Sequence, residues 1–239
     1  MGSGEIFPAC RLRPATYPTM RHFEEELDNL RSRLLEMSGL VEDSVYRSIQ
    51  SLIEKDEVAA QQVLQNESRI NRMEIQIDEL ATSLLARVQP MATDLRFITA
   101  AIKINNDLER MGDISVNIVR RTLALMREPI PKELIDIPHM ATIAQSMIRE
   151  SLDAFVRKDA ELARSILTSD DVIDQLRDSV YEELIGLMER DPTTVRQSIN
   201  LMFIARALER LADHATNIAE DVLFLVEGVE VRHHAEVHE

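Results

Sequence analysis

LERMGDISVNI, residues 108–118, and LERLADHATNI, residues 208–218, are two copies of one eleven-residue pattern set 100 residues apart. Leu108, Glu109, Arg110, Asp113, Asn117 and Ile118 recur as Leu208, Glu209, Arg210, Asp213, Asn217 and Ile218. Apolar positions at steps of three and four, with no proline, mark each copy as helical. One helical element has been used twice, and the rest of the chain falls into register around it.

Upstream of each copy the same succession recurs. Phe23, Leu27, Leu30, Leu34, Met37, Val41, Val45, Ile49 and Leu52 predict a helix over 21–54 with one buried stripe. Lys55–Asp56 reads as a turn. A second helix is predicted over 57–88 and a third over 93–127, with Thr93 or Asp94 as its N-cap. The pattern restarts at 139–157, and Lys158–Asp159 repeats the turn 103 residues on. A fifth helix over 160–190 matches the second, and a sixth runs over 193–227. Proline supports these cuts, since helix interiors exclude it. Pro90, Pro129, Pro131, Pro138 and Pro192 all fall between the predicted helices.

The expected architecture is all-α, with two tandem three-helix bundles at 20–128 and 139–228 joined by a linker at 129–138. Residues 1–19, rich in Pro and Gly and holding Cys10, read as a leader, a tag or a disordered arm. Residues 229–239 read as a frayed tail. With no Trp, three Tyr and six Phe among 239 residues, aliphatic and Met side chains must fill the core. The formal charge of −15 argues against a nucleic-acid partner, which needs a Lys/Arg surface, and suits a cation or a basic partner. No apolar run is long enough to span a membrane and no signal-peptide h-region is visible. Apart from Cys10 the chain has no cysteine, in keeping with a reducing cytoplasm.

The chemistry points to the carboxylates. Glu109–Asp113 and Glu209–Asp213 each set two like charges one helical turn apart, which costs a few tenths of a kcal/mol. Such pairs are common in a chain with 42 acids, and most of them are solvated faces. These two differ because they recur at matched positions. They also lie on lines of seven-residue spacing with Ile102 and Val116, and with Met202 and Thr216, at the edge of the buried stripe. A carboxylate there needs a cation or several donors. Arg96, Arg110, Arg196 and Arg210 are candidate partners. A metal ion is the other, and hard oxygen donors suit Mg, Ca, Mn or Fe. Glu74 and Asp78 on the second helix can complete a first-half site, and Asp174 and Asp178 are their rough counterparts. A ferritin-type di-iron centre would need Glu-x-x-His on core helices. The one such pair, Glu230 to His233, lies in the tail.

Together Pro90-x-Ala92-x-Asp94-Leu95-Arg96, Leu108-Glu109-Arg110-x-Gly112-Asp113 and Leu208-Glu209-Arg210-x-x-Asp213-His214-x-x-Asn217-Ile218 resemble the PhoU family of phosphate-signalling proteins. The resemblance implies a cytoplasmic, often dimeric, non-enzymatic negative regulator of the phosphate regulon. It implies contact with membrane-bound partners, the ATPase subunit of a phosphate ABC transporter and a sensor histidine kinase, and modulation of phosphate uptake. It also implies multinuclear metal clusters (Fe, Mn, Mg or Zn) on Glu109, Asp113, Glu209 and Asp213, with Glu74, Asp78, Asp174 and Asp178 around them. Ile114 departs from the family's common His, which His214 keeps, so the two halves are expected to differ toward metal. A metal-dependent enzyme using the acidic clusters, and a plain helical scaffold whose carboxylates pair with arginines, are the competing readings.

Overall fold

The computed structural model describes residues 18–88, 90–127, 136–228 and 231. Residues 1–17 of the leader, most of the linker and most of the tail lie outside them, while Pro18 and Thr19, read as leader, are helical. Seven α-helices follow one another among the described residues: α1 Pro18–Glu54, α2 Glu57–Arg87, α3 Ala92–Leu125, α4 Ile137–Arg157, α5 Ala160–Leu167, α6 Asp170–Arg190 and α7 Val195–Glu227. A single 3-10 turn, Pro192–Thr194, precedes α7. No helix among them is long and apolar enough to cross a membrane.

The two Lys-Asp turns are built alike. Lys55 and Lys158 take the left-handed conformation, with φ of 57° and 54°, which reverses the chain at the end of α1 and α4. The aspartate that follows then caps the next helix. Asp56 accepts from the amides of Val58 at 2.8 Å and Ala59 at 3.1 Å, and Asp159 from that of Leu162 at 3.0 Å. Duplication therefore extends to the backbone of the connections.

Several boundaries differ from the sequence expectation: α1 begins at Pro18 rather than 21 and α7 at Val195 rather than 193, and three further differences follow. The helix expected over 160–190 is broken into α5 and α6 at Thr168–Ser169. There the Thr168 hydroxyl donates to the Ser165 carbonyl at 2.7 Å, and the Ser169 amide to Ile166 at 3.0 Å. Such local bonds compete with the helical ladder, and α2 has Gln65 and Asn66 at the matching positions and no break. The N-cap of α3 is Met91, with no side-chain bond, while Asp94 sits in the first turn and complements the helix dipole. Finally α4 begins at Ile137 with Pro138 in its first turn, where a missing N–H costs nothing.

One continuous apolar core runs through both halves. Its centre is the pair α3 and α7, whose Ile104, Leu108, Met111, Ile118, Ile204, Leu208, Leu211 and Ile218 are fully buried. α1 and α2 pack on α3, while α4, α5 and α6 pack on α7. The two halves meet where α3 crosses α7, and the crossing is antiparallel. Lys103 meets Asp221 at 3.1 Å, Asp107 meets His214 at 2.8 Å, and Arg121 meets Asn200 at 3.2 Å. Each motif helix thus presents equivalent residues to the other, end for end.

Candidate functional site

In the first half, Glu109 and Asp113 are half-buried on the edge of α3 that faces α2. Their line is as expected, with Ile102 half-buried and Val116 buried. Two features bring α2 close. The side-chain amide of Asn105, itself buried, donates to the carbonyl of Glu74 at 3.0 Å. Gly112 lies against Ile70, so near that a Cβ there would stand 3.0 Å from Ile70 Cδ1. Glu74 thereby joins the pair. Burial pushes the Glu109 carboxyl above its ordinary range, and the charges of Asp113 and Glu74 push it further, against the pull of Arg110 and His214. Arg110 is only a weak partner, 3.7 Å from Glu109 and largely in solvent. Asp78 is exposed and is not among the charges that act on Glu109.

The second half solves the same problem differently. Arg177 of α6 places Nη1 2.9 Å from Glu209 and 2.9 Å from Asp174, and Nη2 2.9 Å from Asp178. None of the four arginines expected to compensate the motif holds this place. Arg96 instead packs beside Gly228 at the end of α7, and Arg210 lines a groove on another face. Asp213 keeps one side open to solvent, yet its carboxyl is pushed up to about 6 by burial first, then by Glu209, Asp170 and Asp174. Asp170 enters this cluster through the hydroxyl of Thr216, which donates to it at 3.3 Å.

Asp170 and Arg177 were therefore the functional-face residues that motif reading missed. Both carried a signal. Asp170 forms an i, i+4 pair with Asp174, and Arg177 falls opposite Glu74 when the 103-residue shift is applied position by position.

His214 does not stand free beside the second cluster. Its Nδ1 is 2.8 Å from Oδ1 of Asp107 on α3, and Asn217 donates to the same oxygen at 3.2 Å. The histidine thus ties the two motif helices together, near enough to Glu109 and Asp213 that a proton on it would act on both. Ile114, its counterpart, is buried.

Among the described residues no three Asp, Glu, His or Cys side chains converge closely enough to hold an ion. As placed, the side chains do not form a ready centre. The second cluster already contains its cation, the Arg177 guanidinium. The first, Glu74 with Glu109 and Asp113, remains an all-oxygen set with little local compensation, the chemistry that a hard cation favours.

The PhoU domain model matches residues 34–122 and again 137–222, one match on each half. The chain belongs to the PhoU family. It is similar to the phosphate-specific transport system accessory protein PhoU homolog of Pseudomonas aeruginosa, 41% identical over 219 residues that cover 91% of this chain and 90% of the relative. The homolog of the same description from Rhizobium meliloti is 38% identical, with 88% and 90% covered. The crystal structure of PhoU from Pseudomonas aeruginosa superposes with a TM-score of 0.84 at 41% identity, covering 87% of this chain and all of that one. The phosphate transport system regulatory protein PhoU from Streptococcus pneumoniae gives 0.80 at 31% identity, with 87% and 99% covered. The duplicated all-α architecture of this chain is the PhoU fold.

Proposed function

We propose that this chain is an accessory regulator of phosphate-specific transport. In this reading it is a non-enzymatic adaptor that works at the cytoplasmic face of the membrane. It links the ATPase subunit of a phosphate ABC transporter to a sensor histidine kinase and holds the phosphate regulon off when phosphate is plentiful. The observation that supports it most is the near full-length match to phosphate-transport accessory proteins in both directions, with both motif helices present. The acidic face suits an adaptor: a chain of net charge −15 steers toward basic partner surfaces. Deleting the gene and measuring phosphate-starvation transcripts in phosphate-rich medium tests the reading. Derepression is expected, and unchanged transcript levels would count decisively against it.

The carboxylate clusters carry a second, finer proposal. A hard divalent cation is bound by Glu74, Glu109 and Asp113 after small side-chain rotations. The second cluster, with Asp174, Asp178, Glu209 and Asp213, is held by Arg177 instead. The scaffold reading thus applies to one half and the metal reading to the other. Homodimer formation belongs to the same proposal and is checked by sedimentation.

A further inference from the structure

The antiparallel crossing of α3 on α7 has two ends that duplication should make equivalent, and only one of them is closed. At the closed end Asp107 bonds His214 and Asn217, and Lys103 pairs with Asp221, whose side chain is almost fully buried. Shifting each residue by 100 gives the other end: Ala207 for Asp107, Ile114 for His214, Phe203 for Lys103 and Arg121 for Asp221. Both acids of the closed end have been lost there and arginines gained, since Arg206 also replaces Asn106. The result is a groove of about 400 Å³ between the two helices, rimmed by Arg121, Arg206 and Arg210 over a floor of Ile114, Ala207 and Phe203.

Three arginines line this groove on a chain whose net charge is −15. Arg121 is held by Asn200 at 3.2 Å and stacks on the Phe203 ring, 4.3 Å from its centroid, which leaves its charge unneutralised. Among the described residues no carboxylate pairs with Arg206 or Arg210. Phe203, about half exposed at 49%, extends the apolar floor toward solvent. Where the equivalent end supplies its own anions, this end has none.

We infer that this groove binds a small oligophosphate anion of pyrophosphate or nucleotide type. The guanidinium fork matches phosphate oxygens bidentately, and three forks suit a ligand with more than one anionic group. The groove is in the range of small-molecule sites, roughly 300–1,000 Å³, and its floor can cover the non-ionic body of a nucleotide. Size and charge together favour a small ligand over a polyanionic surface. At physiological salt fields decay over about 8 Å, so distant acids act weakly on an anion in the groove, and the charges that line it are the three arginines. A nucleic acid or anionic membrane would lie against the acidic remainder of the molecule. This inference does not rest on the regulatory reading and names a site away from the carboxylate clusters.

The test is calorimetric titration of the full chain with ATP, pyrophosphate and orthophosphate, in chelator without magnesium. Saturable binding of ATP, pyrophosphate or both, one per chain and weakened by salt, is expected. ATP binding without pyrophosphate binding assigns a contribution to the nucleoside, and equal binding of the two assigns recognition to the phosphates. The variant Arg206→Ser/Arg210→Ser, which changes only exposed side chains, should bind about tenfold or more weakly while keeping the helical signal and melting temperature. Ala207→Asp, which restores the acid of the closed end, should weaken binding similarly by occupying the arginines from within. The inference is overturned by no saturation at millimolar ligand, by binding that survives the double arginine variant, or by orthophosphate bound as tightly as pyrophosphate. Preferential binding of an oligoglutamate peptide, which would make the groove a docking site for acidic protein, overturns it as well.

Discussion

Arg177 stands in the second half where Glu74 stands in the first, and each acts on the glutamate of its own Leu-Glu-Arg motif. Glu74 adds a like charge to Glu109 and helps raise its proton affinity. Arg177 bonds Glu209 at 2.9 Å together with Asp174 and Asp178. A single reversal of charge at a matched position has therefore separated two duplicated clusters into one that holds a cation of its own and one that does not.

Removing the arginine should expose this dependence. In Arg177→Ala, Glu209, whose side chain is only 16% exposed, loses its cation while remaining half-buried. Leaving a charge unpaired costs more than the pair itself contributes, so a loss of about 1–2 kcal/mol is expected. Urea denaturation measures it, and a variant as stable as the parent would show that the three contacts are solvent-like.

The same asymmetry gives a metal prediction. Protein prepared without chelator and titrated with Mn²⁺ should lose binding in Glu109→Ala/Asp113→Ala and keep it in Glu209→Ala/Asp213→Ala. In Arg177→Glu the second half acquires the acid it lacks and should gain a site. Equal losses in the two double variants would reject the asymmetry, and no Mn²⁺ uptake by the parent protein would reject the metal proposal.

How much of this was legible in the chain depends on the range of the interaction. Helices, Lys-Asp turns and the edge position of Glu109 and Glu209 depend on neighbours three to seven residues away, which periodicity reports directly. The break at Thr168–Ser169 was hidden because these residues fit a helix surface as well as a turn. Thr93 and Asp94 looked like caps, yet the chain enters α3 one residue earlier. The pairing of Asp107 with His214, like the Arg121–Asn200 contact, joins residues far apart in sequence and follows from the antiparallel crossing of α3 and α7. No local pattern encodes that crossing. Position-by-position use of the 103-residue shift would have shown Arg177 facing the motif.

Acidity should stabilise the second cluster. The Asp213 carboxyl is raised to about 6 from its ordinary 3.8, so between those pH values the folded state holds more protons than the unfolded. Stability contributed by this group is complete below about pH 4 and is lost as pH rises through about 6. Asp213→Asn should remove that slope and raise stability at neutral pH. Because one side of Asp213 faces solvent, screening limits the gain to about 0.5–1 kcal/mol. Chemical denaturation in chelator from pH 4 to 8, parent against variant, checks it; parallel profiles would show that Asp213 titrates normally.

Packing at the motif gives the last prediction. Gly112 and Ala212 are equivalent, yet only the first half tolerates no methyl group. A Cβ at residue 112 would lie 3.0 Å from Cδ1 and 3.2 Å from Cγ2 of Ile70, a side chain only 2% exposed that must give by a few tenths of an ångström. Alanine improves helix propensity by about 1 kcal/mol, whereas forcing a methyl into a packed interface costs about 1–3 kcal/mol. Gly112→Ala should therefore destabilise by about 1 kcal/mol on balance, despite being the residue the duplicate uses. If the clash with Cδ1 is the cause, Ile70→Val, which deletes that atom, should absorb part of the penalty. The double variant should then be less destabilised than the sum of the two singles by about 0.5–1 kcal/mol. Strict additivity would place the cost of Gly112→Ala elsewhere than in the approach of α2 to α3. A stabilised Gly112→Ala would mean that the helices separate easily at the height where Glu74 meets Glu109 and Asp113.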